Sequence, residues 1–423
     1  MAGAGIDILW SRTTERLTAG NTTSSDRNAT IAGTAVGLNI TWNVSVPEGC
    51  IPFRFDLMEY LPWDNPDNIV SVEFQDMTRR LKDLLLPFFF LIGGPANVIN
   101  MLVFYKQGLN ERVNLCLFAL SMADLIYLTQ LLIIFGEQLK LQFTTREMYG
   151  PFLRFMINNN LTGLYGISWV SQILSAIIAT ERCLCVLKPL RFQTLLRTRT
   201  MAAIIIVVYV VTLGLCFVVV MRYRIACLFD LLSGTIMYAG VTGDFYGKYE
   251  KFVNYLDIFV YGAGIPAVVV IVVTATTIIT SLKIRQAAAW RAGSSSASGK
   301  SSSSVSQELA LTKMLIGIAV LFIVFVFPLA LFRFVCLFMP EMNVGRRNQN
   351  FYMSGVWILD MSMSVNSSFN FFVYYTIGSR YRETFWALFG RKKKGKAMQR
   401  IGTEQTATVG PRNIRNRNPY ELA

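Results

Sequence analysis

Residues 179–190 read Ala-Thr-Glu-Arg-Cys-Leu-Cys-Val-Leu-Lys-Pro-Leu. An acidic-basic pair, Glu181-Arg182, closes a long apolar run, and Lys188, Arg191, Arg197 and Arg199 follow at once. A membrane helix leaving the bilayer on its cytoplasmic side has this form, because lysine and arginine are enriched in cytoplasmic loops. The pair alone has a second reading, a helix-end charge pair whose cations snorkel to the headgroups. The rest of the chain decides between them.

Working outward, the composition is that of a polytopic membrane protein. Of 423 residues, 53% are hydrophobic and 16% charged, against about a quarter charged in ordinary soluble domains. Mean hydropathy is +0.43. Apolar stretches at about 84–105, 114–136, 155–187, 202–222, 255–282, 309–338 and 351–376 are each long enough to cross a hydrocarbon core of about 30 Å. The expected fold is all-α: an integral seven-transmembrane helix bundle over residues 84–376, with a short amphipathic helix after the seventh span.

Charge sets the orientation. The net charge of +14 does not point to nucleic acid, because the cations cluster beside the spans. Lys106 and Arg112, Lys188 to Arg199, Lys283 to Lys300, and Arg380 to Lys396 all fall on one side, which the positive-inside rule makes cytoplasmic. Residues 1–83 then form an extracellular tail. Its four acceptor triplets, at Asn21, Asn28, Asn39 and Asn43, fit glycosylation there. Met1–Trp10 lacks the pattern of a cleavable signal, so the first span is expected to act as one. The reading is a multi-pass plasma-membrane protein with an extracellular N-terminus and a cytoplasmic C-terminus.

Three inner segments stand out. Residues 293–306 form a Ser-rich loop that cannot build a core. Residues 377–390 read as a membrane-surface helix with Tyr381, Phe385, Trp386 and Phe389 on its apolar side, and Arg391–Lys394 after it would attract anionic lipid. Residues 391–423 have the composition of a basic, disordered tail.

The absence of histidine excludes Ser-His-Asp and Cys-His catalysis and His-ligated zinc, so no enzyme is expected. Seven scattered cysteines form no paired metal or redox pattern. What remains is polarity inside the spans, which is costly and marks function by default. Asn97, Asp124, Ser171, Asn366, Ser367 and Asn370 are such groups. Ser171 lies roughly 16 Å outward of Arg182 at about 1.5 Å per residue, near the depth of Asp124. A carboxylate with hydroxyl and amide neighbours suits a Na⁺ ion or a proton; equally, these groups can simply hydrogen-bond neighbouring helices.

Pro266 and Pro328 should kink the fifth and sixth spans, as hinges or as mere bends. Glu308 stands twenty residues before Pro328, about 30 Å toward the inside, at the depth of Arg182. An Arg182–Glu308 pair would tie the third helix to the sixth, and breaking it would let the sixth swing out.

Together these residues resemble the rhodopsin-like (class A) G-protein-coupled receptors over roughly residues 84–390. Asn97 in Gly94-Pro95-Ala96-Asn97-Val98, Leu120-Ser121-Met122-Ala123-Asp124, Glu181-Arg182-Cys183, Pro266, Pro328 and Asn370-Phe371-Phe372-Val373-Tyr374 follow the family's motifs in order. Lys106-Gln107-Gly108-Leu109, Pro189-Leu190 and Asn366-Ser367-Ser368 look most like invertebrate, especially molluscan, chemosensory-type and neuropeptide-type receptors.

The resemblance implies a coupling switch of Glu181, Arg182, Glu308, Asn370 and Tyr374, and an outer ligand pocket of Tyr165, Ser168, Trp169, Arg333, Trp357 and Asp360. Arg333 and Asp360 would meet a zwitterionic or peptide ligand, or each other. The chain also departs from the pattern. Phe371 replaces a proline, Cys183 a tyrosine and Val326 a tryptophan, with Phe325 or Phe327 as its substitute; Tyr209 stands in for a fourth-span tryptophan, and Ile157 replaces a cysteine. Cys227 therefore pairs with Cys50, with Cys336, or not at all. Ser364 in place of a lysine argues against covalent retinal, and Leu164 in place of a carboxylate argues against amines.

The implied function is transduction of an extracellular ligand, a neuropeptide or a small polar chemosensory compound, into activation of a heterotrimeric G protein. The alternatives are an ion-coupled transporter or channel, against which the chain shows no internal repeat, and a receptor-like membrane protein that no longer signals.

Overall fold

The computed structural model describes residues 30–31, 44–45, 47–53, 66–144, 163, 166–188, 197–230, 234, 236–293, 302–339, 341–342 and 346–390. Three short strands come first: β1 (Thr30–Ile31), β2 (Val44–Ser45) and β3 (Cys50–Phe53). Four helices follow, α1 (Val72–Gln107), α2 (Arg112–Thr144), α3 (Ile167–Leu187) and α4 (Thr198–Val220), then the strands β4 (Tyr223–Asp230) and β5 (Ile236–Thr242). The fifth span is composite: α5 (Asp244–Asn254), a π-helical segment (Tyr255–Gly264) and α6 (Ile265–Gly293). The chain continues through α7 (Ser302–Phe338), α8 (Gln349–Ile377) and the short α9 (Ser379–Leu388).

The result is a seven-span helical membrane protein. α1 packs on α2 and α8, α8 on α7, and α7 on α6, while α3 runs through the middle against α2, α4, α6 and α7. Among the described residues, six helices are long and apolar enough to cross a membrane. α8 falls short because Ser364, Asn366, Ser367, Ser368 and Asn370 dilute its hydropathy, yet all five are buried against neighbouring helices. The bundle's outside is apolar instead. Leu84 (72% exposed), Ile206, Val210, Ile271, Val324 and Leu331 face outward, a belt that a water-exposed surface would not sustain.

Some boundaries differ from those read in the sequence. α1 begins at Val72, inside the expected tail, because Ser71 caps it: its hydroxyl accepts from Phe74 N at 3.3 Å, and Glu73 sits in the first turn. Hydropathy finds the buried length of a helix and misses such polar extensions. α1 stops at Gly108, whose φ of +99° only glycine adopts readily. α2 runs on to Thr144, and α7 starts at Ser302, within the expected inner loop. Of the third span's expected first turns, 155–166, only Gly163 and Gly166 are described.

Close approach of α1 to α8 rests on Gly93. A Cβ there would lie 2.3 Å from Ser368 Oγ and 2.6 Å from Leu128 Cδ1. Ser368 Oγ donates across the seam to Phe89 O at 3.1 Å, so small residues let the backbones meet and a hydroxyl then joins them.

The two prolines act differently. Proline lacks a donor and clashes with the carbonyl four residues back. Ahead of Pro266 the helix relaxes into the π-helical segment, and Pro266 itself sits in the first turn of α6. Pro328 lies within α7, and Ser362 Oγ donates to Phe325 O at 3.0 Å beside it, where the helix's own ladder is weakened.

At the end of the bundle bearing β4 and β5, these strands form an antiparallel hairpin, and β3 adds in parallel with Cys50 opposite Cys227. Cys50 and Cys227 are joined in a disulfide, their Cα atoms 4.5 Å apart. Cys336, the other candidate partner, is a buried thiol packed with Tyr352 and Val356.

Candidate functional site

Asp124, fully buried at 0% exposure, is the centre of the polar interior. Its Oδ1 accepts from Ser171 Oγ of α3 at 2.7 Å and from Ser367 Oγ of α8 at 3.0 Å; its Oδ2 accepts from Asn370 Nδ2 at 2.9 Å. One carboxylate thus joins three helices, and in a low-dielectric interior such charge-assisted bonds are strong. Asn97 Nδ2 donates to Ser367 O at 2.8 Å and to Gly93 O at 2.9 Å, which brings in α1. Asn366 is buried on the same helix as Ser367.

The network reaches α9. Asn100 Nδ2 donates to Asn97 Oδ1 at 3.4 Å, and Tyr381 Oη donates to Asn100 Oδ1 at 2.6 Å. Tyr381 was expected on the lipid-facing side of the surface helix; it is instead 2% exposed, between the rings of Phe104 and Tyr374. A hydroxyl with a buried acceptor in reach turns inward. Tyr374 is likewise buried, and its Oη and Asn370 Oδ1 have no hydrogen-bond partner among the described residues. At the surface, Arg380 grips Glu111 with bonds of 2.7 and 2.8 Å.

At the same end, Arg182 donates to both carboxylate oxygens of Glu181, through Nε and, at 2.7 Å, through Nη2. Glu181 is buried and has further partners: Arg112 Nε of α2 at 3.7 Å and Cys185 Sγ at 3.4 Å. The side chain of Glu308 lies outside the described residues, and among those described the partner of Arg182 is Glu181.

Toward the hairpin end, a narrow cleft, partly open to solvent, lies between α3, the π-helical segment, α7 and α8. Ser168, Trp169, Arg333 and Asp360 line it together with Gln172, Tyr127 and Tyr261. Trp169 Nε1 donates to Tyr261 O at 3.1 Å, a bond made to the π-helical segment. Arg333 does not pair with Asp360. It donates to Tyr352 Oη at 3.3 Å, because Tyr352 faces it across the α7–α8 seam. Trp357 is buried beneath Lys82 of α1, whose Nζ stands 5.2 Å from the ring centroid and 3.2 Å from Asp83 Oδ1. Tyr165, Leu164 and Ile157 lie outside the described residues, as do Asn21, Asn28, Asn39 and Asn43.

Of the departures from the family pattern, Val326 is fully buried while Phe327 points outward at 51% exposure. Phe327 is therefore no interior substitute, and Phe325 is the partly buried neighbour. Tyr209 bridges α4 to α2 by donating to Ala119 O at 2.7 Å.

The family model described as serpentine type 7TM GPCR chemoreceptor Srw matches residues 86–392. The chain belongs to the Srw family. The Srw match takes in every span, the Asp124 network, the Glu181–Arg182 pair and α9; the strand bearing Cys50 and the first turns of α1 precede it. No curated protein matches the sequence. Srw chains are receptors of the chemoreceptor class, which gives the Asp124 network, the cleft and the Arg182 end a common setting.

Several site residues carried weak sequence signals. Gln172 lies four residues after Ser168, hence on the same helical face. Asn100 stands one turn after Asn97. In the sequence Arg112 is one of many inner-side cations, and Lys82 falls at the end of the polar stretch before the first apolar span.

Proposed function

We propose that this Srw-family chain carries a signal from an extracellular peptide or small polar chemical to a heterotrimeric G protein. The observation that carries this reading is the hold of buried Glu181 on Arg182, which keeps a guanidinium folded against α3 at the end of the bundle. Release of that arginine, with Glu308 of α7 as the second acid it exchanges, opens a cleft for the G protein. A ligand drives this only through differential affinity for the two arrangements. The unpartnered Asn370 Oδ1 and Tyr374 Oη favour the reading, since a second arrangement of α8 can satisfy atoms that this one does not.

In this proposal the hairpin end and the tail with its acceptor asparagines face outside, and α9 and the Arg391–Lys394 run lie against inner-leaflet lipid at the plasma membrane. The mechanism is that of the rhodopsin-like receptors, and the sequence motifs resemble those of invertebrate chemosensory-type and neuropeptide-type receptors. A Na⁺ ion fits the Asp124 network, because the carboxylate, the Ser171 and Ser367 hydroxyls and the unpartnered Asn370 Oδ1 are hard oxygen donors. An ion there would add a positive charge between α2, α3 and α8 and favour their present packing.

The test is a cell assay of G-protein dissociation across a panel of peptides and polar metabolites. The reading expects a ligand-dependent signal that Arg182→Ala abolishes while surface expression is kept. Ion flux through reconstituted vesicles without G protein would favour a transporter or channel instead.

A further inference from the structure

The cleft near the hairpin end contains two groups whose bonding is incomplete. Arg333 makes one hydrogen bond among the described residues, the 3.3 Å contact to the neutral Tyr352 hydroxyl. No described carboxylate lies within salt-bridge distance of it. Gln172 is 1% exposed, and its Oε1 has no partner among the described residues. Both side chains line the cleft, and Asp360 lines it as well. A guanidinium offers five N–H donors in a fork that suits a carboxylate, and a buried amide oxygen requires a donor.

We propose that this cleft binds a small zwitterion of the free α-amino-acid class, its carboxylate on Arg333 and its ammonium group at Gln172 Oε1 and Asp360. The assignment rests on the proposed receptor function, takes this cleft as the ligand site of that receptor, and narrows its chemistry. A simple amine would leave the guanidinium uncompensated and add a second cation beside it. A simple carboxylate would satisfy Arg333 but bring a negative charge toward Asp360 and leave Gln172 without a donor. An apolar odorant would satisfy none of the three. Trp169 and Tyr261, with rings 5.1 Å apart, and Met363 give the ligand's side chain an aromatic and thioether wall. The enclosed part of the cleft is small, and the rest of its space opens to solvent. That suits one residue better than a peptide segment.

The experiment uses the full chain purified into lipid nanodiscs, with thermal unfolding followed by tryptophan fluorescence. The probes are free L-amino acids, the same compounds N-acetylated, and the same compounds as methyl esters. At least one free amino acid should raise the melting temperature saturably, with either blocked form weaker by about ten-fold or more, as loss of a charge-assisted bond implies. Arg333→Gln should bind the free acid and its methyl ester alike, and Gln172→Leu with Asp360→Asn should bind the free and N-acetyl forms alike. These ratios stay readable even where a variant melts lower. The proposal is overturned if no free amino acid shifts the melt, if blocked and free forms bind equally, or if only tripeptides bind. Basal G-protein activation by the Glu181→Gln variant is measured in parallel. Coupling without amino-acid binding discards the zwitterion and keeps the receptor; binding without coupling does the reverse.

Discussion

Tyr381 donates its buried hydroxyl to Asn100 Oδ1 at 2.6 Å, so a residue of the surface helix α9 completes the polar interior of α1. Removing the hydroxyl leaves a desolvated acceptor, which costs about 1–3 kcal/mol. Tyr381→Phe should therefore melt at a lower temperature than the parent, although the ring still packs on Phe104 and Tyr374. Adding Asn100→Val should recover part of the loss, as expected for a coupled pair. A single variant that melts like the parent would show that the bond contributes nothing.

Asp124→Asn keeps the shape of the central group and removes its charge. In the ion-site reading, the parent melts higher in sodium chloride than in choline chloride at equal ionic strength, and the variant melts the same in both. Equal sodium sensitivity in the two proteins would count against an ion at Asp124.

Glu181 holds Arg182 from directly beside it, whereas Arg112 reaches Glu181 from α2 at 3.7 Å. Glu181→Gln should thus raise ligand-independent G-protein activation more than Arg112→Gln, with both above the parent. A parent-like basal signal in Glu181→Gln would contradict the proposed clasp.

Gly93→Ala places a methyl 2.3 Å from Ser368 Oγ, so α1 and α8 must separate, at a cost of about 1–3 kcal/mol typical of overpacking. Ser368→Ala in the same chain relieves the nearest contact and should restore some stability. Chemical denaturation in detergent reads both effects, and a Gly93→Ala variant as stable as the parent would mean the seam is loose.

Cys50→Ser and Cys227→Ser each break the same bond, so each should lower ligand binding at the hairpin end equally, and the double variant should be no worse than either. Unequal single variants would assign one cysteine a separate role.

How legible all this was depends on range. Span order follows from hydropathy, a local property, and so does the depth of Ser171 relative to Asp124, which needs only helical rise. The two residues are hydrogen-bonded at 2.7 Å. Ser367 and Asn370 are found on the same carboxylate because α8's polar residues share one face. Rotation about a helix axis is harder to read. Arg333 was free by count to meet Asp360, yet packing turns it to Tyr352, and Tyr381 turned inward because Asn100, 281 positions earlier, offers an acceptor. The polar start of α1 at Ser71 left no hydropathy signal, though its cap did leave a chemical one.

The π-helical segment, finally, separates the two ends of the fifth span. Its wider winding turns the backbone less per residue than an α-helix does, so the faces presented before and after it are not locked to one 3.6-residue count. Within it, Asp257 meets Arg222 at 3.0 Å and Tyr261 lines the cleft, while beyond it α6 keeps its own packing against α3 and α7. Substitutions that reshape the recognition end can thus accumulate there while the register of the opposite end is left as it was. In the proposed reading, such a joint separates changes in what the receptor detects from changes in how it reports.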